Sequence, residues 1–493
     1  MRVVMRIARS AAVALPALLA GTQAVSQSGT VPSATDLTAE IQALKLEYEA
    51  RIRALETQLS TIEAKSRAVE REAASPVRRA KSTLDNAFNP SIGIVLDGRY
   101  ASFSAEESAI PGFATGHESE RAPEGLSLGH SEVTASGNID DKFRGNLTLG
   151  LGAHPGEATE VELEEAYVQT LPGAGLPEGM RIKTGRALWT FGYLNEQHAH
   201  GDDFADRPLP YRAFLDNTFN DDGVELSFVL PSALYSEVGG GLFRGDDTPF
   251  GGSDNGLRAR SVYARIGGDI GRDAAWRIGG YLLDGKSLNR GGGGHAHGHE
   301  EVAHEEEHED EHEEEHEDEH AHEEVHEDEH GEDFAGFFSG GAFSGDTQLY
   351  GIDVRFAVAP TGNARESEVV LQAEYFWRKE DGTYALAEEE EDGMEHLEEL
   401  RTDSIAHGWY IQGVYKPLPR WRIGARYAWL SPPDGAEIDH DPHAFGMMVD
   451  WTNSEFGRVR LQYNHEALDG HEKDNQFILQ YVMSLGAHAA HSF

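Results

Sequence analysis

The sequence predicts an all-β fold, a 16-stranded antiparallel transmembrane β-barrel, preceded by an N-terminal periplasmic α-helical coiled coil. From residue 90 onward, segments of roughly ten residues alternate apolar and polar side chains. Tight turns and long polar connections follow these segments in turn, as in barrels with short turns at one end and loops at the other. The chain has 55 Gly and no Cys, so its fold depends on hydrogen bonds and packing rather than on disulfides.

Residues 1–26 have the pattern of a signal peptide. Arg2 and Arg6 precede a run of small and apolar residues at 11–20, and small residues follow at the expected cleavage region. The apolar run is too short to span a bilayer. We therefore expect the segment to be removed during export.

Residues 35–73 are predicted to form a coiled coil, followed by a linker at 74–89 that contains Pro76 and a basic cluster. Apolar side chains recur every three or four positions, at Leu37, Ile41, Leu44, Tyr48, Ile52, Leu55, Leu59 and Ile62. Because a coiled coil buries its seam only against another helix, this segment predicts self-association, and we expect a homotrimer. A single amphipathic helix lying against the barrel is the alternative.

The barrel is predicted to span residues 90–493. The predicted strands are 91–104, 126–138, 143–152, 160–171, 180–190, 222–230, 234–244, 257–267, 274–284, 347–358, 367–378, 406–416, 420–430, 443–451, 457–465 and 474–486. The predicted long connections are 105–125, 191–221, 245–256, 285–346, 379–405, 431–442 and 466–473. An even strand number returns both chain ends to the periplasmic side.

The two faces of each strand differ in polarity. In the segment 420–430, Trp421, Ile423 and Tyr427 lie on one face, whereas Arg422 and Arg426 lie on the other. Apolar side chains outside, charged side chains inside and aromatic residues near strand ends are typical of a porin in outer-membrane lipid. Sixteen strands enclose an aqueous lumen. A soluble all-β protein is the alternative.

The net charge favours cationic partners. Lys and Arg number 41 against 86 Asp and Glu, a formal charge of −45, which argues against nucleic-acid binding. A generally acidic, solubilising surface is the alternative, but the acidic residues are concentrated in a few segments.

The connection 285–346 is predicted to be an extracellular loop that captures divalent metal ions. Between His295 and Asp333 it holds eleven His and twenty-one Asp or Glu, with no Lys or Arg. Imidazole and carboxylate ligands suit Zn²⁺ and, less selectively, Cu²⁺, Ni²⁺ or Co²⁺. An acidic loop without a ligand is the alternative. The candidate ligands are His295, His297, His299, His304, His308, His312, His316, His320, His322, His326 and His330.

The third long connection, 191–221, resembles by its position the inward-folded constriction loop of 16-stranded porins. Its candidate constriction residues are His198, His200, Asp202, Asp203 and Asp206. Facing them, a basic pore wall is predicted from Arg355, Arg378, Arg422, Arg426, Arg458 and Arg460. An acidic loop opposite basic strands would set up a transverse field across the pore. Alternatively, the His and Asp residues of this loop cap turns and bind the barrel arginines.

The last strand and the region before the third loop resemble known outer-membrane proteins. The amphipathic strand ending in Phe493 resembles the signal recognised by the barrel-assembly machinery. The stretch from Arg181 to Asn195, with the Asp206-Arg207-Pro208 turn, resembles the phosphate-selective porin superfamily, whose members are trimeric barrels. The closing segment also resembles a group of uncharacterised, zinc-linked outer-membrane proteins. Since the loops are acidic, phosphate selectivity is not expected.

These features predict an outer-membrane porin through which divalent metal ions, above all zinc, diffuse. We expect no tightly bound cofactor, and no enzymatic activity, since the repeated His and acidic residues lie in predicted mobile loops. A TonB-dependent metal receptor is one alternative, although its plug domain would not fit between residues 27 and 89. A structural or adhesive envelope protein is the other.

Overall fold

The computed structural model describes residues 90–105, 108–119, 121–152, 160–251, 256–291, 338–389, 395–436, 438, 440–454, 456–470 and 473–486. The predicted signal peptide, coiled coil, linker, His-rich segment 295–330 and final residues 487–493 lie outside this part of the chain.

Sixteen antiparallel strands form one continuous sheet. The strands are β1 Ser91–Ser102, β2 Gly125–Leu128 with Ser131–Asn138, β3 Phe143–Gly152, β4 Glu160–Thr170, β5 Met180–Leu188, β6 Asn220–Val229, β7 Tyr235–Phe243, β8 Ala259–Ile270, β9 Ala274–Arg290, β10 Ala342–Val358, β11 Glu368–Glu389, β12 Glu395–Leu418, β13 Trp421–Ser431, β14 His443–Ser454, β15 Gly457–Ala467 and β16 Lys473–Gly486. Each strand pairs with the next, and β1 pairs with β16 from Gly93–Gly486 to Ser102–Phe477. The sheet is therefore closed, which confirms the predicted 16-stranded barrel.

The second strand is interrupted by a bulge. Its two segments both pair with β1, with Leu128 opposite Gly98 and Glu132 opposite Val95. Three steps along β1 thus match four along β2, which is the count of a one-residue bulge. Because a bulge re-aims the side chains beside it, the residues between the two segments, among them His130, leave the strict alternation of the strand.

The alternation of faces agrees with the prediction. On β13, Trp421 and Ile423 are exposed, whereas Arg426 is buried inside the barrel. On β15, Leu461 is exposed, while Arg458 and Arg460 are buried. The outer surface is thus apolar and the interior is charged, as expected for a barrel with lipid outside and water inside.

The prediction that 379–405 is a long loop was wrong. β11 and β12 extend as a paired hairpin from Glu368–Lys416 to Glu389–Glu395. Tyr384 is buried at the end of this hairpin, in an apolar cluster with Phe338 and Phe343. The acidic residues of the hairpin hid this continued alternation. Elsewhere the strand ends differ from the predicted ones by several residues, most at β9 and β10, which extend to Arg290 and from Ala342.

The connection between β5 and β6, residues 189–219, folds into the barrel and is called here the inward loop. It contains two 3-10 turns, Leu194–Glu196 and Ala199–Gly201, and one short α-helix, α1 Leu209–Leu215, all of whose residues are buried. No helix among the described residues has both the length and the apolar character needed to cross a bilayer.

Candidate functional site in the barrel lumen

Asn195 closes the base of the inward loop. Its side-chain amide donates hydrogen bonds to the carbonyl oxygens of Trp189 at 2.7 Å and Phe219 at 3.0 Å. Its side-chain oxygen accepts a hydrogen bond of 2.6 Å from the backbone N–H of Phe219. Because all these groups are buried, Asn195 satisfies backbone groups that water does not reach. The two ends of the loop are thus held together.

An aromatic cluster fixes α1 against the wall formed by β11 to β13. Tyr211 packs edge-on against Phe376 on β11, with ring centroids 5.2 Å apart. The Tyr211 hydroxyl donates to Glu374 at 3.0 Å, and the Tyr410 hydroxyl donates to the other oxygen of the same carboxylate at 2.5 Å. Since Glu374 is buried, these hydrogen bonds replace its hydration. One side of the lumen is therefore filled by the loop.

Three aspartates of the inward loop are paired with arginines. Asp203 lies 2.7 Å from Arg422, and Asp206 lies 2.7 Å from Arg426. Asp202 lies 2.7 Å from Arg207 of the same loop. Each carboxylate thus has a guanidinium beside it, which reduces the field that it exerts on a passing ion.

The other predicted wall arginines also contact the inward loop. Arg458 and Arg460 donate hydrogen bonds to the carbonyl oxygens of His200 at 2.6 Å and Asp202 at 2.7 Å. Arg355 lies over the ring of Tyr193 at 5.1 Å, and Arg378 lies over the ring of Phe214 at 5.4 Å.

These contacts agree with the alternative interpretation of the third connection, in which its residues bind the barrel arginines. The same contacts place the loop across the lumen, where a constriction is expected. The roles of these residues in ion passage stay predictions.

His198 and His200 face the barrel wall formed by β2 to β4, where their side chains meet three glutamates. Nδ1 of His198 lies 3.2 Å from Glu132 and 3.2 Å from Glu164, and its Nε2 lies 3.2 Å from Glu165. Nδ1 of His200 lies 2.9 Å from Glu132. His130, at the bulge of β2, contacts Glu164 and lies 3.6 Å from Glu132. We call these six residues the His/Glu cluster.

Glu132, Glu165 and His200 of the cluster are buried, whereas His130, Glu164 and His198 are half-buried. Burial lowers the pKa of the His198 imidazole, but the Glu132 carboxylate and the hydrogen bonds from three glutamates raise it, and the net pKa is well above its ordinary value. Glu165, which accepts from Nε2 of His198, itself accepts from the Asn146 amide at 3.0 Å and the Leu188 backbone N–H at 3.4 Å. The orientation of the imidazole is therefore set by the wall.

A second bulge and a glycine bring the glutamates together. On β4, Glu165 pairs with Thr148 and Leu163 with Leu149, so that Glu164 is the extra residue. Gly150 on β3 lies between Glu132 and Glu162 in the register. A Cβ atom at Gly150 would lie only 2.1 Å from the Glu164 carboxylate, so the missing side chain makes room for that carboxylate.

Two cavities lie on either side of the inward loop. The first, of about 620 Å³, lies towards the long connections and is lined by His130, Glu164 and His198, among others. The second, of about 360 Å³, lies towards the short turns and is lined by Asp203 and Arg422, among others. Charged side chains thus face the interior above and below the loop.

Sequence reasoning identified the two loop histidines but missed His130, Glu132, Glu164 and Glu165. These four residues come from two strands, β2 and β4, and two of them owe their positions to bulges. The run Glu162, Glu164 and Glu165 was a visible indication, since three glutamates stand in a strand whose other face carries Val161 and Leu163.

Some segments match the residue pattern of known catalytic motifs. Gly125–Gly129 reads Gly-Leu-Ser-Leu-Gly, and Gly280–Ser287 reads as a phosphate-loop pattern. The first coincides with a segment of β2 and the second lies within β9, whereas both motifs need a turn that leads into a helix. The His-Glu-x-x-His repeats from His304 to His330 lie outside the described residues.

No family model matches the chain. A protein of Aquifex aeolicus (strain VF5), described as uncharacterized, is 24% identical over 443 residues, which cover 83% of this chain and 80% of that protein. The anion-selective porin from Comamonas acidovorans is similar with a TM-score of 0.45 and 10% identity, over 80% of this chain and 99% of that chain. The outer membrane channel DcaP of Acinetobacter baumannii has a TM-score of 0.45 and 11% identity, over 80% of this chain and 96% of that chain.

Proposed function

We propose that the chain is an outer-membrane porin that admits divalent metal ions, with zinc the favoured ion. The observation that carries the proposal is the inward loop, which is held across a closed barrel with a cavity on each side. A barrel with an apolar exterior and a charged interior suits a lipid bilayer with water inside. The N-terminal segment would then lie in the periplasm.

The preference for metal cations rests on two carboxylate-rich regions. The segment 295–330 adds eleven histidines and many acidic residues, which we propose capture metal ions outside the cell. Inside the lumen, Glu132, Glu164 and Glu165 belong to the His/Glu cluster, whereas Asp203 and Asp206 of the loop are paired with arginines. We therefore assign the cation preference of the lumen chiefly to the glutamate side of the pore.

Planar-bilayer recordings with the purified protein test this function. The protein should give discrete conductance steps in potassium salts, and the reversal potential across a salt gradient should have the sign of cation preference. Zinc chloride on one side should carry current as well. A protein that inserts but gives no steps would support a structural role in the envelope and contradict the channel.

A further inference from the structure

We infer that the His/Glu cluster is a defined binding site for one divalent transition-metal ion of the zinc class, with His130, Glu132 and Glu164 as ligands and His198 as the fourth. This inference rests on the proposed function, because it makes the lumen, and not only the His-rich segment, a place where a permeating metal ion is held. The ligand atoms of His130, Glu132 and Glu164 all lie within 4.8 Å of one another.

Three of the distances in the cluster are close to those between ligands of a tetrahedral ion. Zinc lies about 2.0–2.2 Å from nitrogen and oxygen ligands, so neighbouring ligand atoms in a tetrahedron are about 3.4 Å apart. In the cluster, Nε2 of His130 is 3.6 Å from the Glu132 carboxylate, and Nδ1 of His198 is 3.2 Å from both Glu132 and Glu164. His198 is not among the three residues whose ligand atoms lie within 4.8 Å of one another, so it would have to move towards the ion, and His130 and Glu164, which now contact each other directly, would have to separate.

A second layer of contacts is present as well. Histidines that bind metals commonly donate their other ring N–H to a carboxylate, which fixes the ring. Nε2 of His198 faces Glu165 at 3.2 Å, and Glu165 is held by Asn146 and the backbone of Leu188. His198 thus has one nitrogen directed at the candidate site and the other at an anchored carboxylate.

The backbone provides an independent argument. Bulges occur often beside functional sites, where they re-aim side chains. Here one bulge, in β2, lies at His130, and another, in β4, brings Glu164 into the cluster. A plain alternating barrel would present neither side chain in this way.

The charges around the first cavity favour the binding of a cation at the His/Glu cluster. Arginines that line the same cavity pair with other carboxylates, Arg186 with Asp247 at 2.8 Å and Arg212 with Glu466 at 2.9 Å. In the described part of the chain, the ion pairs of Glu132 and Glu164 are with imidazoles. A divalent ion would balance these carboxylates, and its exchange along the lumen would favour divalent over monovalent cations.

The test uses the full chain in which the eleven histidines from His295 to His330 are replaced by Asn, so that the His-rich segment does not obscure the lumen. Co²⁺ serves as the probe, because its visible absorption reports both binding and four-coordinate geometry. We expect one Co²⁺ per chain with intense bands, displaced by Zn²⁺. His130→Gln and Glu164→Gln should weaken binding by at least about tenfold, and Glu165→Gln by roughly 10- to 100-fold.

His407→Gln is the matched control, since His407 contacts Tyr375 on another part of the barrel. It should bind Co²⁺ like the parent chain. No Co²⁺ bound by the folded parent, or equal binding by the His130→Gln and His407→Gln variants, would overturn the inference. If His130→Gln does not fold, the stoichiometry and spectrum of the parent decide. Conductance of the parent in metal-free potassium salt separates the two proposals, because its absence rejects the channel while leaving the Co²⁺ result standing.

Discussion

Nε2 of His198 lies 3.2 Å from the carboxylate of Glu165, so a residue of the inward loop is bound to the barrel wall formed by β2 to β4. On the arginine side, Arg422 and Arg426 bind Asp203 and Asp206 of the same loop. The inward loop is therefore held from two sides by groups of opposite charge. At these contacts, barrel arginines bind Asp side chains of the loop, and a barrel glutamate binds a His side chain of the loop.

Replacing Asn195 with Ala should release the base of the inward loop. The change removes three buried hydrogen bonds and leaves backbone groups of Trp189 and Phe219 without that partner, so we expect a loss of roughly 2–4 kcal/mol in the free energy of unfolding. Urea unfolding in detergent measures this loss. Asn453→Ala, at an exposed position, is the control and should change stability little.

Replacing Asp202, Asp203 and Asp206 together with Asn should shift the ion preference of the pore towards anions. In the native protein each of these Asp side chains neutralises an arginine. In the triple variant the arginine charges are unbalanced. One such charge about 10 Å from the ion path changes the electrostatic energy of an ion in water by about 0.4 kcal/mol, which changes the local ion concentration roughly twofold. Reversal potentials measure the shift. Asp141→Asn, in a short turn, is the control, and an unchanged preference in the triple variant would contradict this role of the loop.

The His-rich segment should bind several Zn²⁺ ions per chain. Its eleven histidines repeat without forming a single enclosed site, so we expect many exchanging sites whose affinity falls below about pH 6, where protonated imidazole cannot ligate. Calorimetry on a peptide of residues 291–333 measures the binding. The same peptide with Asn at the eleven positions is the control, and an absence of zinc heat at neutral pH in the native peptide would refute the prediction.

The predicted coiled coil should strengthen trimer formation. Changing Leu44, Ile52 and Leu55 to Asp places charges in the seam, so the oligomer should weaken while the barrel stays folded. Analytical ultracentrifugation in detergent measures the oligomer. Changing Gln42, Lys45 and Arg53 to Asp, just outside the seam, is the control. Equal association in the two triple variants would show that the segment does not act as predicted.

The barrel could be predicted from the sequence because side chains along a strand alternate between its two faces, so the face of one residue determines the faces of its neighbours. When Trp421 and Ile423 face lipid, Arg422 must face inward, and this logic placed all sixteen strands. It failed where polar residues continue a strand, as in the extension of β11 and β12 beyond Arg378. There, an apolar cluster at the hairpin end stabilises the strands, and the sequence did not reveal that partner.

The His/Glu cluster could not be predicted for a different reason. A bulge changes which face a residue occupies without any fixed change in residue type, so neither His130 nor Glu164 could be assigned to the lumen from alternation. The inward course of the loop was predicted only from its position in the chain. The wall that His198 contacts depends on strand register and loop packing together.

The most direct test of the account is the reversal potential of the native protein in a planar bilayer with a salt gradient. The account predicts discrete conductance steps with cation preference, and this preference should decline as salt shortens the Debye length from about 10 Å at 0.1 M to about 3 Å at 1 M. Zinc chloride added to one side of the bilayer should give a current carried by Zn²⁺. A native protein that inserts without conductance, or that prefers anions at low salt, would contradict the central claim that this barrel admits metal cations.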